Sequence, residues 1–363
     1  MKCLEMLWKV LLQELGEWCG TSTSFDSKRI EARIEHEGES FLTITLPGFC
    51  KDFEKSLDQG LVSHDLFAGF RRKGELPLFL GGFLDLVFDR GTGRLLLDPS
   101  VNSIFAIRQL SAFCSKILID CSKERQLGAL EGYLQCEKDV KFADKHITRE
   151  NQDDFLRVSA LLFRDVITLI DRDVNEFNIT GRHGPGQTAD RKSGNQKFDF
   201  TEWPSRLEAE FPFGNEAVPN PGFNYLYDRV SILEPGQERP VKVTLVPKTP
   251  KTPRIIAIEP TAMQYMQQGF MEKFVQYLET DNTVSSLIGF TDQVPNQDLA
   301  REGSLYGKLA TLDLKEASDR VSNQHVRLLF SRHSALQSAI DATRSRKAVM
   351  PDGSVIRLAK FAS

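Results

Sequence analysis

The sequence predicts an α+β protein, on three observations. Apolar residues recur at helical spacing from Gln152 to Ile170, and the chain beyond Val241 turns compact and strand-rich. Between them, Gly181 to Gly222 is rich in Gly, Pro, Asn and charge, the composition of loops. At 363 residues, 40% apolar and 26% charged, the chain can bury a large core in two or more subdomains.

The first element is an amphipathic helix within Met1 to Gly20, with Leu4, Trp8, Leu11, Leu12 and Leu15 facing inward. Glu5, Glu14 and Glu17 interrupt its apolar run, which argues against a signal peptide. Phe41 to Phe49 (FLTITLPGF) alternates as a short strand closed by Pro47 and Gly48. Gly81 and Gly82 break the apolar segment Leu78 to Phe88, and Asp89 to Gly93 reads as a turn. The helix at 152–170 turns Phe155, Val158, Leu161, Leu162, Val166 and Leu169 inward. Phe198, Phe200, Trp203, Phe211 and Phe213 argue that 181–222 is an ordered surface and not a free linker. Near the end, Arg346 to Met350 and Ser354 to Ala359 form two strands joined at Pro351-Asp352-Gly353.

A net charge of −4 gives no global pull toward nucleic acid, which disfavours a simple coating protein and leaves attraction to local patches. The six cysteines form no CxxC pair and read as reduced, mostly buried thiols; Cys114 and Cys121 lack a second ligand pair for zinc. No apolar stretch is long enough to cross a bilayer. No GxxxxGK[ST] segment is present, which removes a P-loop NTPase.

Chemistry concentrates in two segments. In PKTPKTPR (247–254) the three prolines exclude a helix and favour polyproline II, placing Lys248, Lys251 and Arg254 along one edge at ~9 Å intervals. No acid lies between Glu238 and Glu259, so this row is locally unneutralised and suits a triphosphate and strand backbone; a solvated basic loop fits the same residues. The row runs into the strand RIIAIE (254–259), whose Glu259 either pairs with one of the cations or is a surface charge.

The second segment is LATLDLKEASD (309–319). Leu312 and Leu314 face the core, with Thr311 and Asp313 on the opposite side. A carboxylate ending an apolar strand needs a partner, and a divalent cation or a basic side chain would serve. Asp319 shares a site with Asp313 only if the chain turns over Lys315 to Ser318. Ser318 or Asp319 also fits as the start of the next helix, which faces Val326, Leu329 and Phe330 inward.

Together these segments resemble the replicase β subunit of leviviruses, the single-stranded RNA bacteriophages. LVPKTPKTPRIIAIEP (245–260) is similar to its basic nucleotide-entry segment, motif F; LATLDLKEASD is similar to motif A; MPDGSVIRLAKFAS (350–363) is similar to the hairpin leading into motif B. GRHGPG (181–186) and GESFLTITLP (38–47) also resemble family segments; for GRHGPG a loop near template or nucleotide and a plain turn both remain open. The resemblance implies a right-handed fingers, palm and thumb polymerase. Residues 1–180 would contribute to fingers and palm, 181–260 would form fingers with the basic segment, and 261–363 would begin the palm.

By the same resemblance, Asp313 would be catalytic and bind both of two Mg2+ ions, with the Leu314 carbonyl a further ligand. Lys248, Lys251 and Arg254 would meet the triphosphate, Asp319 the ribose, and Ser363 would open the motif B loop. RNA template and product and nucleoside triphosphates would be the substrates. Host elongation factors Tu and Ts and ribosomal protein S1 would be candidate partners, in the cytoplasm of the bacterial host. The family's glycine and paired aspartates of motif C are missing after Asp313. The chain is therefore expected to be the front part of the enzyme and inactive alone. A non-catalytic RNA-binding module is the alternative.

Overall fold

A computed structural model describes residues 2–117 and 119–361, which divide into two compact units. One comprises Met1–Ala129 and Leu245–Arg254, the other Leu130–Thr244 and Ile255–Ser363.

The first unit opens with α1 (Lys2–Cys19) and α2 (Ser24–Glu37). The expected inner face of α1 is the observed one: Trp8 and Leu12 are buried, and the Trp8 indole N–H donates to the Leu110 carbonyl at 2.7 Å. The strand expected at 41–49 is instead helical, a π turn over Phe41–Thr45 followed by α3 (Leu46–Gln59). Phe41, Leu42, Leu46, Phe49 and Phe53 are all buried, a helical spacing once the π turn supplies its extra residue. Pro47 sits in the first turn of α3, where its missing amide costs nothing.

After the short hairpin of β1 (Arg72–Lys73) and β2 (Leu76–Pro77), Gly81 and Gly82 begin α4 (Gly81–Leu84) where a break was expected. A Cβ on Gly82 would lie 2.0 Å from the Thr21 hydroxyl, so this glycine allows close approach and does not end an element. The turn at 89–93 forms as expected, with Gly93 at φ +71° and its amide on the Asp89 carbonyl. Ser100 caps α5 (Val101–Ala112), which packs against α1 and α3. Phe49, Phe67, Phe70 and Phe79 form an aromatic cluster in this core, with the Arg33 guanidinium over Phe70 at 4.9 Å.

The division between units falls within α6 (Lys123–His146). In the second unit, Thr148 caps α7 (Arg149–Asn175), which covers the helix expected at 152–170. Its packed stripe runs through Leu162, Val166, Ile167 and Ile170; Val158 and Leu161 lie off it, exposed, contrary to expectation. The loop-rich stretch carries β3 (Glu202–Pro204), α8 (Ser205–Glu210) and α9 (Phe213–Glu216); β4 (Ser231–Leu233), beyond it, pairs parallel with β3. It is ordered by its aromatics: Phe200, Trp203, Phe211 and Phe213 are buried in the core of the unit, and Phe198 is exposed.

Then follow β5 (Val241–Thr249), β6 (Thr252–Ile258), α10 (Thr261–Thr280), α11 (Val294–Tyr306), α12 (Asn323–Leu329), α13 (Ser334–Thr343), β7 (Lys347–Val349) and β8 (Val355–Arg357). Four strands form one sheet in the order β6-β5-β7-β8, with β5 parallel to β7 (Val241 opposite Ala348). The terminal hairpin β7–β8 turns where expected, with Gly353 at φ +86°. Helices and sheet together make the α+β class of the sequence reading. Four of the six cysteines are buried and all are free, and among the described residues no helix is long and apolar enough to cross a membrane.

Candidate nucleotide and metal residues

Polyproline II does not survive at 247–254. The segment is the tip of the β5–β6 hairpin, with Pro250 and Lys251 as its turn. Proline presets the backbone angle that a turn needs, and strands tolerate it where the amide leaves the ladder. The tip is fastened through its backbone: the Arg125 guanidinium donates to the Pro250 carbonyl at 3.0 Å, and the Cys121 thiol to the Thr249 carbonyl at 3.0 Å. Lys248, Lys251 and Arg254 thus sit together on one hairpin, all exposed. Glu259 beyond β6 accepts the Ser345 hydroxyl at 2.5 Å.

The apolar strand expected around Asp313 is not formed. Residues 308–314 have no regular structure; Leu312 is 92% exposed and Leu314 75%. A strand buries its side chains only when a ladder partner satisfies its backbone. Among the described residues the sheet β6-β5-β7-β8 does not include this stretch. Asp313 is consequently exposed. Among the described residues no group of three or more His, Cys, Asp or Glu side chains is placed to hold a metal ion. The donors present therefore do not fit a magnesium site as they stand, since that ion wants several hard oxygens around one point.

The chain does turn over Lys315–Ala317, and Asp319 follows in a 3-10 turn, Ser318–Arg320. Neither Ser318 nor Asp319 starts the next helix. Ser322 does, accepting the His325 amide at 3.0 Å, and Phe330 is buried as expected with Val326 and Leu329 partly so. Asp319 instead receives the Lys360 ammonium at 2.6 Å. Ser363 lies outside the described residues.

Sequence reasoning missed the packing of GRHGPG. His183 lies against Phe198, Phe200 and Tyr265 at ring distances of 4.6, 5.6 and 4.7 Å. Burial, aided by the nearby Lys197 ammonium, lowers its pKa to about 4. A Cβ on Gly181 would lie 2.1 Å from the Tyr265 ring, and one on Gly269 of α10 would lie 2.4 Å from the Thr180 carbonyl. The glycines are there for close backbone approach, which favours the structural-turn reading. Asp190, also missed, accepts the Thr261 hydroxyl at 2.6 Å and its amide at 3.1 Å. Burial pushes its carboxyl up, but bonds from Thr261 and Thr188 outweigh this and hold it below its ordinary value. Thr188 and Asp190 carried no periodic signal in the sequence.

The hairpin, Asp313, Leu314, Asp319 and Ser363 all lie within one continuous match to the family described as RNA replicase, beta-chain. Residues 237–363 carry the RNA replicase β-chain signature. The RNA-directed RNA polymerase subunit beta of Enterobacteria phage SP is 38% identical over 122 residues, 34% of this chain and 20% of that protein. The subunit of Escherichia virus Qbeta is 37% identical over 135 residues, 37% of this chain and 21% of that protein. The RNA-directed RNA polymerase beta chain of Escherichia phage MS2 is 36% identical over 122 residues, 33% and 21% of the two. The matches thus span about a fifth of the length of these replicase subunits. GRHGPG and GESFLTITLP lie outside the residues that the replicase family matches.

Proposed function

We propose that the chain is part of an RNA-directed RNA polymerase of a positive-strand RNA phage. The full enzyme would extend RNA by attack of a 3′ hydroxyl on the α-phosphate of a nucleoside triphosphate, releasing pyrophosphate. The fold would be that of fingers, palm and thumb, acting in the bacterial cytoplasm on RNA template and product. Host elongation factors Tu and Ts and ribosomal protein S1 remain candidate partners.

One observation carries this reading: three exposed cations, Lys248, Lys251 and Arg254, on a hairpin tip held by backbone bonds, inside the replicase-matched stretch. Side chains whose backbone is fixed and whose heads are free lose little entropy on meeting a triphosphate, and offset the repulsion between its charges. Asp319 is assigned to the ribose, and Ser363 to the nucleotide. Asp313, with the Leu314 carbonyl, is assigned to two Mg2+ ions in the complete enzyme; the described residues supply too few donors to bind them. The chain contains no adjacent aspartates after Asp313, so these 363 residues alone should not polymerise.

The test is nucleotide and RNA binding by the chain, with Lys248, Lys251 and Arg254 changed singly and together to Ala. The triple variant should weaken ATP binding at least tenfold and flatten the salt dependence of RNA binding by up to about three charges. Unchanged ATP affinity would sink the nucleotide-entry assignment. Loss of RNA binding alone would favour a non-catalytic RNA-binding module.

A further inference from the structure

Lys360 has no accessible side chain, yet it carries an ammonium. Taking such a charge out of water is costly unless it is paired, so the structure around it has to answer for it. It does so with Asp319 at 2.6 Å, the Tyr133 ring face at 3.5 Å and the Glu137 carboxylate at 3.9 Å. The lysine is fixed at its other end as well. Its carbonyl accepts the Arg344 guanidinium at 2.6 Å. The chain on either side is strapped to the segment after Asp319, with the Asn323 amide on the Ala359 carbonyl at 3.0 Å and the Phe361 amide on the Val321 carbonyl at 2.7 Å.

The two carboxylates around the ammonium are not equivalent. Glu137 is 4% exposed in its side chain; its Oε2 accepts the Ala359 amide at 2.7 Å, and its buried Oε1 has the Lys360 ammonium at 3.9 Å and, among the described residues, no hydrogen bond. Asp319 keeps 29% of its side chain exposed. The cluster therefore braces one carboxylate from its buried side while leaving part of it facing solvent. An ionised carboxylate only accepts hydrogen bonds, so such a group selects a ligand that offers a donor. A site built to bond a hydroxyl discriminates strongly against the analogue that lacks it.

We propose that Lys360 is a positioning residue for nucleotide selection, holding Asp319 where it accepts a ribose hydroxyl and so favouring ribonucleotides over 2′-deoxyribonucleotides. This rests on the assignment of Asp319 to the ribose. Without the ammonium, the carboxylate on a 3-10 turn has no fixed direction, and the preference should fade while affinity for the 2′-deoxynucleotide persists.

The experiment is competition of ATP and 2′-deoxy-ATP for a fluorescent nucleotide on the 363-residue chain, with thermal unfolding as a parallel readout. The unsubstituted chain should prefer ATP by about tenfold, the scale of one hydrogen bond to a charged group. Asp319→Ala should bring the ratio close to one. Lys360→Met should do the same with 2′-deoxy-ATP affinity unchanged, and Lys360→Arg should restore part of the preference. If Asp319→Ala loses the preference and Lys360→Met keeps it, the role of Lys360 is overturned and the ribose assignment stands. If the unsubstituted chain shows no preference, or Asp319→Ala retains it, the ribose assignment falls and the proposal with it. Lys360→Gln replaces Lys360→Met should the latter unfold; unfolding of both would make the lysine purely structural and overturn the proposal.

Discussion

Asp26 Oδ1 accepts the amide of Leu80 at 2.7 Å, and Leu80 holds a left-handed backbone at φ +52° where α4 begins. A bulky residue adopts that conformation only where its surroundings insist on it. Asp26 is 2% exposed, and it supplies the insistence by satisfying an amide at the start of the helix.

Burial raises the Asp26 carboxyl from 3.8 to about 6, more than the Leu80 bond lowers it. The folded protein thus binds this proton more tightly than the unfolded chain does. Stability from this group is present below pH 3.8 and is lost as the pH rises to about 6. Asp26→Asn keeps an acceptor for the Leu80 amide and removes the charge. At pH 7.5 it should stabilise the fold by ~2 kcal/mol, and urea midpoints measured from pH 4 to 7.5 should show a weaker decline. An identical pH profile in the variant would mean that the carboxyl is not buried as described.

Two helical glycines should respond to alanine with opposite signs. On Gly269 a methyl would meet the Thr180 carbonyl at 2.4 Å, so α10 or the 180–181 backbone must move. Gly269→Ala should cost ~1–3 kcal/mol despite the better helix propensity of alanine. Among the described residues nothing lies within 4 Å of the Cβ position of Gly128 in α6. Gly128→Ala should therefore gain ~0.5–1 kcal/mol. Equal shifts in the two urea midpoints would contradict the close approach of α10 to Thr180.

Where side-chain period and burial coincide, the sequence was legible. The inner face of α1, the span of α7 and the Pro351-Asp352-Gly353 hairpin are read from spacing and turn residues, which are local. Phe41–Phe49 misled because a five-residue π step makes a helical stripe look like alternation. LATLDLKEASD misled for a different reason. Its leucines are correctly spaced for a strand, but a strand needs a partner, and partnership is not encoded in one segment. Within the candidate site, the cations were visible as cations, while their geometry was not: three prolines suit a polyproline helix and a hairpin tip alike. Lys360 gave no signal, because a buried lysine is distinguished only by Asp319, Glu137 and Tyr133, which lie far from it in the chain.

The basic tip is held by Arg125 and Cys121 from outside the hairpin, through carbonyls and not through the cations. Arg125→Ala should leave Lys248, Lys251 and Arg254 in place chemically but loosen the turn that carries them. Hydrogen exchange at Thr252, whose amide donates to the Thr249 hydroxyl, should accelerate, and ATP affinity should drop by a few fold, less than in the triple cation variant. Faster exchange with unchanged ATP binding would separate the tip from the nucleotide.

His183 provides the counterpart to Asp26. Burial first, and then the Lys197 ammonium, hold its imidazole near 4, below its ordinary 6.5. Here the unfolded chain binds the proton more tightly, so stability is full above pH 6.5 and is lost as the pH falls toward 4. Among the described residues neither ring nitrogen makes a hydrogen bond of normal geometry, and the Lys197 backbone only partly offsets the lowering, so a ring without nitrogens should sit in the same box of Phe198, Phe200 and Tyr265. His183→Phe should abolish the acid-side loss between pH 6.5 and 4 while changing stability little at pH 7.5. The Asp26 and His183 effects have opposite slopes over an overlapping range, so the unsubstituted chain should show a flatter profile there than either variant. A His183→Phe variant that remains as acid-sensitive as the parent would place the titrating group elsewhere.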